Sequence, residues 1–333
     1  MRIEAFSEGK DLDAPQANED QMLILPGRGY AVIDGVTDRT GHRYDGMLAG
    51  KVAGRVVQGA VAGLLIEPPP PERLADALVE RVSAALRAAY ERHGILEVAR
   101  SDRTRRFGAT LALAVDYGDS LRCVLIGDSG LRLDGAETIV NDTGLDLVNA
   151  GLRQEAYRVV ASAGGTPEDQ ARVGRACAFE GAAGLTPEMQ PWLDAAGLRA
   201  LRQRCVELGR SRLPHVPLAD IEALVDGGIL RGQPHFQNSG RGPLAYAVLD
   251  GFDIPMDRVC VLDRRTAGLA SIELFSDGYF AHGQEPTVAA WEAAFAEVER
   301  VDPLKIDRYP SVKGTIGRVR ADDRTVVVVR FRP

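Results

Sequence analysis

Residues 109–140 read ATLALAVDYGDSLRCVLIGDSGLRLDGAETIV. Four runs in it, 109–116, 121–126, 129–133 and 137–140, have the composition of strands and are separated by Gly- and Asp-containing turns. Joins of a few residues suit an antiparallel meander, because a parallel crossover needs a dozen residues or more. The stretch therefore predicts an antiparallel sheet.

Working outward, residues 2–7 (RIEAFS), 21–25 (QMLIL) and 30–34 (YAVID) also read as strands. A long helix is expected near 45–65, where Met47, Leu48, Val52, Val56, Ala60, Val61 and Leu64 recur at three and four. The prolines at 68–71 end it. A second helix is expected over 72–93, with Leu74, Leu78, Val82 and Leu86 four apart. Residues 143–232 are predicted to be mostly helical, with breaks near 164–167, 184–187 and 213–217. Residues 233–257 are loop-rich. Strands return at 258–262, 271–275 and 325–331, with a helix at 286–300 between the last two. Helices with antiparallel strands make the class α+β. Strands flank the helical stretch at 143–232 on both sides, so the whole of 1–333 is expected to form a single domain.

Composition narrows the function. The net charge of −7 argues against general nucleic-acid binding. Cys123, Cys177, Cys205 and Cys260 show neither CxxC nor zinc-ligand spacing and are expected to be reduced, mostly buried thiols. The first residues, MRIEAFSEGKDLD, carry no secretory apolar region, and no stretch approaches the ~18 apolar residues of a membrane span. A cytoplasmic protein with no membrane partner is the expectation. No GxxxxGK[ST] loop is present. GDSG at 127–130 matches a protease nucleophile motif only superficially, since Leu131 and Arg132 follow it in a helix-rich chain. His215 and His235 read as structural or exposed, and Trp192 and Trp291 as core anchors. The stretch QPHFQNSGRGPLAYAVLDG at 233–251 reads either as a flap over a substrate or as a packed connection.

The chemistry concentrates in acids at strand ends. Glu19-Asp20 precedes QMLIL, Asp34-Gly35 ends YAVID, Asp128 follows LRCVLIG, Asp277-Gly278 follows IELFS, and Asp322-Asp323 precedes TVVVV. If these carboxylates converge on one rim they repel one another unless a divalent cation sits among them. Hard oxygen donors select Mg²⁺ or Mn²⁺ over zinc. Each Asp-Gly pair alone reads as an ordinary turn; the ordered set carries the signal.

In order, NED at 18–20, AVIDG at 31–35, FGATLALA at 107–114, IGDSG at 126–130, FSDG at 275–278 and DDRTVVVV at 322–329 resemble the motifs of the metal-dependent type 2C serine/threonine protein phosphatases, as a divergent, bacterial-like member. TIVNDTGL at 138–145 is also similar. The resemblance implies an α/β/β/α sandwich of two central antiparallel sheets flanked by helices. It implies two or three Mn²⁺ or Mg²⁺ ions, with Asp34 bridging two, the Gly35 carbonyl on one, and Asp277 and Asp322 on the other. The resemblance further implies that Glu19 or Asp20 completes the shell beside Gly35 and that Asp128 serves an additional ion. Asp323 stands where the family usually has Asn, which leaves the choice between Asp322 and Asp323 open. By the same resemblance Thr110 and Ser129 are expected to brace nearby loops. The implied reaction is dephosphorylation of phosphoserine or phosphothreonine by a metal-activated water, in signalling opposite a cognate kinase. The alternatives are a small-molecule phosphatase and a pseudophosphatase that binds without turnover.

Two departures stand out. Pro15 occupies the position of the family's phosphate-gripping arginine, and Val36 that of a histidine found in the animal enzymes. Arg39, His42, Arg43 and Lys51 are the candidates to supply the missing phosphate contact or proton, against a reading of that stretch as a solvated loop and helix start.

Overall fold

A computed structural model describes residues 1–37 and 41–331. In chain order the elements are β1 (Arg2–Glu8), β2 (Gln21–Leu25), β3 (Gly29–Gly35), β4 (Arg43–Tyr44), β5 (Met47–Leu48), α1 (Ala49–Ile66), α2 (Leu74–Arg92), α3 (Leu96–Ser101), β6 (Ala109–Asp116), β7 (Ser120–Ile126), β8 (Gly130–Leu133) and β9 (Glu137–Ile139). There follow α4 (Leu145–Ser162), α5 (Pro167–Glu180), α6 (Ala195–Arg212), α7 (Leu218–Arg231), β10 (Cys260–Arg265), β11 (Ser271–Phe275), α8 (Val288–Val301) and β12 (Arg324–Arg330). Two compact units result: residues 1–141, 247–300 and from 317 onward, and residues 142–246 with 301–316.

Within the first unit, the described strands form two five-stranded sheets, β1-β12-β11-β8-β9 and β10-β7-β6-β3-β2, and one β4-β5 hairpin. Every pairing is antiparallel. Alternation along the strands explains the layers. Tyr30, Val32, Ala112, Ala114, Cys123 and Leu125 of one sheet share a core with Leu131, Leu133, Ile272, Leu274, Val327 and Val329 of the other. The alternate residues face outward: Ala31, Ile33, Leu111 and Leu113 bury against α1 and α2, and Val326 and Val328 pack with Phe275, Trp291 and Phe295 near α8. The unit is thus an α/β/β/α sandwich. The valine run of β12 is apolar throughout because both of its faces are covered.

A buried ion pair sits under α8. Arg132 and Glu273, directly opposed on β8 and β11, form a two-pronged pair, and Trp291 Nε1 donates to the same carboxylate at 2.6 Å. Elsewhere in the unit, Arg106 pairs with the buried Asp250 at 3.0 Å and lies over the Phe252 ring.

Two expectations are corrected here. The helix expected near 45 starts at Ala49, because Asp45 and Gly46 both take positive φ and close the β4–β5 hairpin. And α1, at 18 residues and mean hydropathy 1.3, is long and apolar enough to cross a membrane by length and composition. Its alanines raise the mean without widening the apolar stripe, and half of the helix is buried. Val52, Ala53, Val57, Val61, Leu64 and Leu65 are buried in the first unit's core.

The second unit holds α4 to α7. They bury Leu152, Val160, Val173, Cys177, Leu201, Ile221 and Leu224 together. Thr166 and Asp169 form a reciprocal capping box at the start of α5, with Pro167 in the first turn. The returning segment 301–316 is held by Arg153, whose guanidinium donates to the carbonyls of Lys305 and Ser311, each at 3.1 Å. Asp302 accepts the N–H groups of Ile306, Asp307 and Tyr309. Of the stretch 233–251, Phe236 and Leu244 are buried in this unit, and Val248, Leu249 and Asp250 in the first. Those burials fit a packed connection.

All four cysteines are free thiols, three of them buried. Trp291 is fully buried and Trp192 partly so.

Candidate active site

Strand register decides where the acids go. Gln21 pairs with Ile33, so Glu19 and Asp20 enter β2 beside the end of β3, where Asp34 and Gly35 lie. Asp34 itself faces Thr110, and Leu111 faces Ile126, so Asp128 emerges next to them after β7. In the other sheet Phe275 opposes both Gly130 and Val326, which puts Asp277 at the end of β11 and Asp322 at the start of β12 on the same side. Antiparallel order alternates strand ends and beginnings along one rim. Five acidic stretches from distant parts of the chain therefore meet there.

Short hydrogen bonds lace the two sheets at this rim. Ser276 Oγ donates to Asp20 Oδ2 at 2.8 Å and accepts the Thr325 N–H at 2.9 Å. Asp323 Oδ2 accepts the Glu19 N–H at 3.0 Å, and its Oδ1 accepts the Lys10 N–H at 2.6 Å. Thr110 and Ser129 share a buried hydroxyl–hydroxyl bond of 2.6 Å, which ties the Gly127-Asp128 turn to β6. Gly35 is required by approach: a Cβ there would collide with the Gly50 carbonyl at the start of α1. Asp323, held by two backbone donors and only 3% exposed, is a latch, and Asp322 is the more accessible carboxylate of the pair, with its side chain 21% exposed.

The electrostatics report the crowding. Burial, then the charges of Asp20, Asp277, Asp322 and Asp128, hold the Asp34 carboxyl well above the usual carboxylate range. Burial and then Asp323 push Asp20 up to about 7, with the Ser276 and Thr325 hydroxyls opposing. Among the described residues, no three His, Cys, Asp or Glu side chains stand together as a finished ion cage. The donor set nevertheless suits a hard divalent ion. Its donors are carboxylate oxygens and the Gly35 carbonyl, and Asp20 Oδ1 is buried with no hydrogen-bond partner among the described residues.

Sequence reasoning missed Lys10. Its Nζ lies 3.0 Å from Glu19 Oε2, 3.2 Å from Asp322 Oδ1 and 3.4 Å from Asp323 Oδ2, and donates to Thr37 Oγ1 at 3.0 Å. Burial lowers the pKa of this ammonium, and the three carboxylates outweigh it, so the net direction is upward. Only the pairing of β1 with β12, which sets Glu8 opposite Arg324, brings Lys10 to the rim.

The proposed phosphate contacts have other partners. Lys51 Nζ donates to the carbonyls of Gln16 and Asn18 at 2.7 and 2.8 Å, tethering the loop that leads into Glu19. Arg43 donates to the Gly46 carbonyl within its hairpin. His42 packs edge-on against Tyr44, with ring centroids 4.8 Å apart. Arg39 lies outside the described residues.

Solved structures similar to this chain are bacterial serine/threonine phosphatases. The Mycobacterium tuberculosis phosphatase PstP/Ppp shares 19% identity at TM-score 0.48, covering 100% of this chain and 99% of its own. The Staphylococcus aureus phosphatase Stp1 shares 13% at TM-score 0.46, with 100% and 96% covered. The PstP catalytic domain in complex with 2 manganese ions shares 19% at TM-score 0.46, with 98% and 96% covered. No family model and no curated protein matches the sequence. At such identities and scores these are similarities of chain path alone.

Proposed function

We propose that this chain is a divergent, type 2C-like metal-dependent phosphoric monoester hydrolase acting on phosphoserine or phosphothreonine in proteins, in the cytoplasm. The supporting observation is that Asp34 is buried at the rim among four carboxylates from two sheets, and that burial first and those charges second hold its carboxyl well above the usual range. Natural proteins retain such repulsion where function uses it. Asp20, Asp34, Asp128 and Asp277, with the Gly35 carbonyl, would hold Mn²⁺ or Mg²⁺. When bound, such ions supply charge neutralisation for phosphoryl oxygens and acidify water.

The chain's own residues do the positioning. Ser276 fixes Asp20 by its Oδ2, leaving Oδ1 for a ligand. The Thr110–Ser129 bond orients the Asp128 turn. The Asp323 latch sets the backbone of Glu19. Positioning of this kind is what in-line phosphoryl transfer asks of a protein.

The test is hydrolysis of p-nitrophenyl phosphate and of a phosphothreonine peptide, with Mn²⁺ and with EDTA. Turnover only with metal, abolished by Asp34→Asn, is expected. Full activity of that variant contradicts the assignment. A second reading, a pseudophosphatase that binds phosphoproteins, is favoured by Lys10 standing among the acids and by Pro15 in place of arginine. Phosphopeptide binding without turnover at any metal concentration selects it.

A further inference from the structure

The acidic rim has two halves with different partners. On one side stand Asp20, Asp34, Asp128 and Asp277: Asp34 feels the charges of the other three and, from across the rim, that of Asp322, and Asp20 Oδ1 is buried with no hydrogen-bond partner among the described residues. On the other side Glu19, Asp322 and Asp323 converge on one ammonium, with Nζ–O separations of 3.0, 3.2 and 3.4 Å. Thr37 Oγ1 lies 3.0 Å from the same nitrogen and donates to Glu19 Oε2, also at 3.0 Å. The Lys10 side chain is only 20% exposed and the Glu19 carboxylate is fully buried. Its backbone is fixed as well, because Lys10 N–H bonds Asp323 Oδ1 and the Lys10 carbonyl accepts the Arg320 N–H at 2.7 Å. A flexible surface lysine has none of these restraints.

We infer that Lys10 is a built-in cation of the rim: its ammonium neutralises the Glu19–Asp322–Asp323 half, so that divalent ions load only on the Asp20–Asp34–Asp128–Asp277 half. The consequence is a chain that takes up fewer ions than the acids at its strand ends suggest, and that keeps one half of its centre assembled without metal. Asp322 then serves as an ammonium partner rather than an ion ligand. A buried carboxylate group stripped of its cation is strongly destabilising, which gives the inference a readout separate from catalysis. The part that concerns ion uptake rests on the metal-dependent reading above; the part that concerns Lys10 and the folded state does not.

The experiment compares the full chain with Lys10→Met and Lys10→Arg. Melting is followed in EDTA, and Mn²⁺ uptake is counted by calorimetry. Lys10→Met is expected to melt several degrees lower in EDTA, to bind one more Mn²⁺ than the unsubstituted chain, and to gain more melting temperature from Mn²⁺. Lys10→Arg is expected to keep both the melting point and the ion count. Should Lys10→Met be unfolded in EDTA, recovery of its fold on adding Mn²⁺ supports the inference and failure to recover opposes it. Unchanged melting together with an unchanged ion count in Lys10→Met overturns it. If neither chain binds Mn²⁺, the hydrolase reading falls, and the melting comparison in EDTA still judges Lys10.

Discussion

Asp323 Oδ2 accepts the backbone N–H of Glu19 at 3.0 Å across 304 residues of sequence. With the companion bond from Lys10 N–H to Oδ1, one buried carboxylate ties the start of β12 to the segments that lead out of β1 and into β2. Asp323→Ala leaves two N–H donors without that acceptor. It also removes a charge that raises Asp20, which acts in the opposite direction. Loss of two charge-assisted bonds to backbone outweighs that relief, and a net destabilisation of about 2–4 kcal/mol is expected from urea unfolding. An unchanged midpoint would show that the latch carries no weight.

Asp34→Asn should act in opposite directions on activity and stability. It removes the most crowded carboxylate of the rim, so the chain without metal should melt higher, while metal-dependent hydrolysis disappears. Differential scanning fluorimetry in EDTA, read beside an activity assay, checks both halves. A lower melting point in EDTA would mean that Asp34 is not under repulsion in the folded chain.

Stability in EDTA should fall as pH rises. Asp34 and Asp20 bind protons more tightly folded than unfolded, Asp20 with a folded value of about 7. Their contribution to stability is present below the ordinary carboxylate range near pH 4 and is lost as pH climbs through about 7. Melting temperature without metal should therefore drop between about pH 5 and about pH 8, and saturating Mn²⁺ should flatten the slope. A rise over that interval in EDTA would contradict the sign.

The buried pair of Arg132 and Glu273 offers a test of the fold independent of function. Glu273→Ala strands a buried guanidinium and deprives Trp291 Nε1 of its acceptor. A loss of about 3–5 kcal/mol is expected. Adding Arg132→Met to Glu273→Leu should restore part of it, since an apolar pair has no charge to desolvate. A double variant no more stable than Glu273→Ala would place the cost in packing against Trp291.

Local signals reached far into this molecule. The valine run of β12 and the strand-like runs of β6 and β7 between Gly- and Asp-containing turns announced strands, and the four-residue spacing of Leu74, Leu78, Val82 and Leu86 announced α2. The β4–β5 hairpin was missed because Met47 and Leu48 also continue the helical period of α1, and only the positive φ of Asp45 and Gly46 separates them. That Lys51 reaches the carbonyls of Gln16 and Asn18 could not be read from the sequence, because those partners lie more than 30 residues away along the chain.

By itself the sequence determined the kinds of element and the identity of the acids at their ends, because helical and strand periods and turn residues are properties of neighbours along the chain. Tertiary structure alone decided which acids share a neighbourhood, that Asp323 latches while Asp322 stays accessible, and that Lys10 answers three of them. Those outcomes depend on strand register between segments some 300 residues apart, such as Glu8 opposite Arg324, and register is set by the packing of whole sheets.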